Sequence, residues 1–123
     1  MKLFSKDEIM AMANPAPEKP FSKIIIADGG SGCNDSACAL LIVPPQGSVP
    51  LHYHKSREIW LFMVSGEIEQ TIDGHVHSLK TGDTLFIAPG EVHGIKNISS
   101  REARFVEAWT TPAIEPDFYL PQP

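Results

Sequence analysis

From Phe21 onward the chain is a succession of short apolar runs, rich in β-branched and aromatic residues and separated by clusters of Gly, Pro, Asp, Asn and Ser. Such runs predict strands rather than helices. They fall at residues 21–27, 37–43, 51–54, 59–64, 67–72, 75–79, 84–88, 93–98 and 104–110. The turn signals between them are Asp28-Gly29-Gly30-Ser31-Gly32, Pro44-Pro45-Gln46-Gly47, Ser65-Gly66, the hairpin pair Asp73-Gly74, Lys80-Thr81-Gly82-Asp83 and Pro89-Gly90. About nine short strands in roughly a hundred residues, with no βαβ crossover, predict an all-β closed barrel or sandwich.

The two ends break this pattern. Ser5-Lys6-Asp7-Glu8 has the capping-box arrangement, Ser5 as N-cap and Glu8 at N3, and Ile9 to Ala13 continues a short helix until Asn14-Pro15, Pro17 and Pro20 end it. At the other end, residues 112–123 carry prolines at 112, 116, 121 and 123 and predict an extended tail. Phe118, Tyr119 and Leu120 would anchor it against the barrel or a partner subunit, or let it help cover a pocket. The domain reading is therefore an N-terminal arm over 1–20, a barrel over 21–111 and a tail over 112–123.

Length and composition fit one domain with one core: 123 residues, 42% hydrophobic. No run of apolar residues is long enough to span a bilayer, and no secretory apolar segment follows Met1, so a cytoplasmic location is the default expectation. The formal charge of −5, without any basic cluster, argues against nucleic acid or an anionic membrane as partner. A small-molecule substrate remains. Cys33 and Cys38 lack the spacing and the second pair of a metal site and read as free thiols.

Chemistry enters with the histidines. His52 and His54 stand at i and i+2, which share a face only in an extended strand. With His93, after the Pro89-Gly90 turn, they could close on one metal, and Glu58 could complete the set. Three neutral imidazoles and one carboxylate would partly neutralise a divalent cation and leave coordination positions open for substrate or water. His75 and His77 also alternate, but follow the Asp73-Gly74 turn and read as a solvated strand face.

Two stretches, residues 47–66 and 82–97, resemble the paired signature motifs of the cupin family. The first contains Gly47, His52-Tyr53-His54, Glu58 and Gly66; the second contains Gly82-Asp83, Pro89-Gly90, His93 and Asn97, with Ala88 where the family usually has proline. Fifteen residues separate Gly66 from Gly82, close to the short intermotif form. The resemblance implies a double-stranded β-helix, the jelly-roll barrel, here with a short N-terminal helix and an extended C-terminal tail. It also implies one divalent metal (Fe, Mn, Zn or Ni) held by His52, His54, Glu58 and His93. Asn97 would be structural.

The first motif departs from pattern where it matters for Glu58. Seven residues rather than six lie between Glu58 and Gly66, so counting back from Gly66 puts Ile59 at the acidic position. Strand parity sets Glu58, Trp60, Phe62 and Val64 on one face and Ile59, Leu61 and Met63 on the other, and a one-residue slip exchanges the faces. A β-bulge before Gly66 would keep Glu58 inward; otherwise three histidines form the site, with water or substrate in the gap.

The resulting expectation is a metal-dependent enzyme acting on a sugar derivative, keto acid or phenolic by isomerisation, lyase chemistry or dioxygenation, with Glu58 able to move a proton. A non-catalytic small-ligand binding module is the alternative. Trp60, Phe62, Phe86 and Trp109 would fill the core or line its cavity, and Lys55 or Arg57 could meet an anionic substrate at the mouth. A homodimer would cover edge strands that a small barrel leaves open.

Overall fold

The computed structural model describes residues 1–12, 18–110 and 117–122. Its nine strands are β1 (Ser22–Ala27), β2 (Ser36–Val43), β3 (Ser48–His52), β4 (Ile59–Ser65), β5 (Glu67–Ile72), β6 (His75–Lys80), β7 (Thr84–Ile87), β8 (His93–Lys96) and β9 (Ala103–Thr110). They form two antiparallel sheets, ordered β1-β2-β9-β4-β7 and β3-β8-β5-β6. This is the expected double-stranded β-helix: the chain crosses between sheets, and each sheet turns one apolar face inward.

The core lies between the sheets. Ala37, Ala39, Leu41 and Val43 of β2, Ile59, Leu61 and Met63 of β4, and Ala103, Phe105 and Trp109 of β9 meet Ile68, Leu79 and Ile95 from the smaller sheet. A period of two selects these residues, because alternate side chains of a strand face opposite ways. The other face of β1 and β2 carries a smaller cluster, Ile24, Leu40 and Ile42, against which Ile9 of helix α1 (Lys6–Met12) packs. That helix starts as its capping box requires, with the Glu8 N–H donating to Ser5 Oγ at 3.1 Å. Its expected end at Ala13 to Pro15, and the stretch Pro112 to Pro116, lie outside the described residues.

Close backbone approach constrains Gly66 and Gly94, as it does Gly47. Gly66 has φ of +75°, and a Cβ there would lie 2.6 Å from the Glu102 carbonyl oxygen. Gly94 lets β3 pass tightly over β8: a Cβ would sit 3.0 Å from the Val49 carbonyl oxygen. Asn97 is structural, as expected. Buried, it donates to the Val43 and Arg101 carbonyl oxygens and accepts from Ser99.

The aromatic residues of β4 and β7 behave differently from expectation. Trp60, Phe62 and Phe86 are 48%, 43% and 40% exposed, so they neither fill the core nor line a cavity within it. Ile59, Leu61 and Met63 occupy the inner face instead, and strand parity sends their neighbours out. Trp60 and Phe86 face each other across the β4–β7 pair, ring centroids 5.0 Å apart, on the outside of the barrel.

Candidate metal centre

His52 ends β3 and stands directly opposite His93, which begins β8. The expected third strand, residues 51–54, begins earlier and stops at His52. The β3–β8 register shifts between Val49 and His52, where Pro50 has no N–H to give the ladder. His54 lies beyond the strand, its carbonyl oxygen accepting from the Gly90 N–H at 2.7 Å. The turn of the second motif is thereby tied to the second histidine of the first.

The three rings converge. His52, His54 and His93 are 8%, 5% and 4% exposed, and each offers a ligand atom within 4.8 Å of the others. Every Nδ1 is committed to a backbone carbonyl: His52 to Pro50 at 2.7 Å, His93 to Glu91 at 2.9 Å, and His54 to Asp117. A carbonyl oxygen only accepts, so each Nδ1 carries the proton and each Nε2 keeps a bare lone pair. Burial pushes the His52 and His54 pKa values down to about 4 and that of His93 below its ordinary value. Hydrogen bonds to the carbonyls pull the other way without reversing the shift. Three neutral imidazoles with fixed tautomers and inward lone pairs fit a divalent transition-metal ion.

Glu58 is not brought to this group. Its side chain is exposed, while its main chain is pinned to the end of β9: its N–H donates to Thr110 Oγ1 and its carbonyl oxygen accepts from the Thr110 N–H. The β4–β9 register does shift between Met63 and Ser65, so a bulge precedes Gly66. It lies downstream of the inward residues Ile59, Leu61 and Met63, and does not turn Glu58 in. Counting back from Gly66 therefore finds the inward position, and Ile59 fills it. Of the four residues expected to share one site, the structure brings together His52, His54 and His93.

A different carboxylate faces the barrel interior from β9. Glu107 on β9 lies opposite the core residues Ala39 and Leu61, on the face shared by Phe105 and Trp109. Burial raises its pKa, and the positive charges of Lys23 and Arg57 pull it back. Those two cations flank the Trp109 ring, Lys23 Nζ at 4.5 Å and Arg57 Cζ at 5.2 Å from its centroid. Lys23 stays exposed overall, but burial near the ring lowers its pKa. Trp109 thus proves to be core. The signal for Glu107 was present as a charge alternating with Phe105 and Trp109, a residue of the wrong polarity on an inner face.

Other expectations sort simply. His75 and His77 are exposed, as a solvated face requires. Cys33 and Cys38 are free and half-buried, and burial raises the Cys38 thiol. Lys55 leans on the Tyr119 ring, with Nζ 4.3 Å from its centroid.

Comparison with known proteins agrees with this architecture. Residues 39–109 match the family model of the cupin domain. A Bacillus subtilis protein named H2HPP isomerase is 34% identical over 89 residues, covering 68% of this chain and 37% of that protein. Quercetin 2,3-dioxygenase of Bacillus subtilis is 27% identical over 99 residues, covering 80% of this chain and 25% of the other. The chain spans between 25% and 67% of the length of such curated relatives, about half for two of them. Among solved structures, a double-stranded β-helix protein of Klebsiella pneumoniae aligns over 100% of this chain and 99% of its own, with a TM-score of 0.80 at 23% identity, a likeness of fold alone. Matching that family model over more than half its length, and built on the same barrel, the chain belongs to the cupin family.

Proposed function

We propose that this protein is a metal-dependent enzyme acting on a small oxygenated organic molecule, with His52, His54 and His93 as the metal ligands. The observation that carries this reading is the convergence of three bare Nε2 atoms, each fixed by a carbonyl behind it. The metal would supply polarisation of a substrate oxygen, and iron or manganese could also supply dioxygen chemistry. The chain's own part is to hold three ligands on one side, leaving the remaining positions to the substrate. Glu107 is a carboxylate on the inner face of β9, and its raised pKa suits a group that gives and takes a proton. That role was expected of Glu58, whose exposed side chain points elsewhere. Isomerisation and lyase chemistry share a proton abstraction beside a polarised oxygen, and relatives named as an isomerase and as a dioxygenase keep both routes in view.

The deciding experiment is elemental analysis of protein purified without added metal, followed by oxygen-uptake assays with phenolics and keto acids. Bound iron with substrate-dependent uptake favours dioxygenation; zinc or nickel with none favours isomerase or lyase chemistry. A protein that binds neither Fe, Mn, Zn nor Ni after reconstitution sinks the metal reading.

We also propose a homodimer through the outer face of the larger sheet. Trp60, Phe62, Val64 and Phe86 expose one apolar patch beside β7, an open edge strand. Sedimentation analysis should show a dimer that Trp60→Glu converts to monomer; a wild-type monomer at ~100 μM, far above the Kd of a stable interface, counts against it.

A further inference from the structure

The three histidines are not held alike. His52 and His93 each lean on a carbonyl two residues upstream in their own chain segment. His54 instead leans on Asp117, sixty-three residues away in the C-terminal segment. The Asp117 carboxylate accepts from the Lys55 N–H at 2.6 Å and from the Ser56 N–H at 3.0 Å, gripping the two residues that follow His54. Phe118 then stacks on the His52 ring, with centroids 4.8 Å apart and planes 20° from parallel. Tyr119 closes the attachment through a two-bond bridge with Tyr53, each N–H···O distance 2.9 Å, and a ring stack at 5.4 Å.

Residues 117–119 therefore touch two of the three histidines and pair with the residue between them. We infer that this C-terminal segment is a working part of the metal centre, in which Asp117 is a positioning residue fixing the tautomer and orientation of His54 and Phe118 holds the plane of His52. This rests on the metal reading proposed above. Ordering an extended segment costs about 1–2 kcal/mol of backbone entropy per residue. The contacts that offset this cost converge on the histidines, so the segment's docking and the ligand geometry stabilise one another. By linkage, whatever weakens docking weakens metal binding, and a bound metal tightens docking by the same factor. Outer-shell partners of metal-binding histidines are typically worth about 10–100-fold in affinity.

The test compares full-length protein with a chain ending before Asp117 and with Asp117→Ala, which keeps the whole segment. Zinc affinity is measured by competition with a chelator, and the His54 tautomer is read by nitrogen NMR in the metal-free proteins. The truncated chain should bind zinc about 10–100-fold more weakly. Asp117→Ala keeps the carbonyl behind His54 and loses only the carboxylate grip on Lys55 and Ser56, so its affinity should fall between; the truncated chain should show His54 exchanging between tautomers while His93 keeps Nδ1 protonated. If the truncated chain does not fold, Asp117→Ala carries the comparison alone, through its zinc affinity. Zinc affinity within twofold of the full-length protein in either folded variant, or an unchanged His54 tautomer in a folded truncated chain, overturns the inference. Failure of the full-length protein to bind zinc would instead strike the metal reading, while the tautomer still reports on the segment.

Discussion

His93→Ala should lower the affinity for zinc by more than ~100-fold, beyond the loss typical of an outer-shell partner, while leaving the barrel folded. The side chain supplies one of three lone pairs, and the other two lie on the first-motif segment. Losing it leaves a two-histidine site, too few for the tetrahedral set that zinc prefers. The ring is buried, yet it stands at the start of an edge of the core rather than within its apolar centre. Chelator competition measures the affinity, and circular dichroism checks the fold. Wild-type affinity in the variant would remove His93 from the ligand set. The same site makes a statement about pH. Protons compete with metal for neutral imidazole, and burial holds His52 and His54 to pKa values of about 4, below the ordinary value of 6.5. The lowered values mean less competition, so zinc should stay bound as pH falls from 7 to 5 and be released nearer 4.

Phe105→Ala should cost about 3–5 kcal/mol of stability, a large share of the ~5–15 kcal/mol that holds a domain of this size together. Phe105 is 0% exposed and lies on β9 between Leu41 of β2 and Met63 of β4, in the middle of the larger sheet. Truncation removes most of a large side chain and leaves a cavity that three strands cannot collapse to fill. Phe62→Ala supplies the contrast: 43% exposed on the outer face, it should lose less than ~1 kcal/mol in the monomer. Urea unfolding of both variants in parallel measures the difference. Equal losses would mean that the inner and outer faces of β4 and β9 have been exchanged.

That contrast marks how far the sequence could be read. Its alternation predicted β4 as a strand with Ile59, Leu61 and Met63 on one face and Trp60, Phe62 and Val64 on the other. Which face turns inward was not local information. Both are apolar, so hydrophobicity alone could not choose, and the motif spacing left Glu58 and Ile59 competing for one position. Pairing with β9 on one side and β7 on the other made the choice, by setting Ile59 against Trp109 and Ile87. Glu107 escaped notice for the related reason that its face is defined only by its partners Ala39 and Leu61.

By itself, then, the sequence determined the order of strands and turns, the capped helix, the cupin barrel and the convergence of His52, His54 and His93. Each is written in short-range periodicity or in two motifs at a set distance. The tertiary structure alone decided that Glu58 stays outside, that Glu107 faces in, and that Asp117 and Phe118 meet the histidines. Those outcomes depend on strand register and on contacts between residues far apart in the chain. A one-residue shift in pairing reverses a face without changing any local preference.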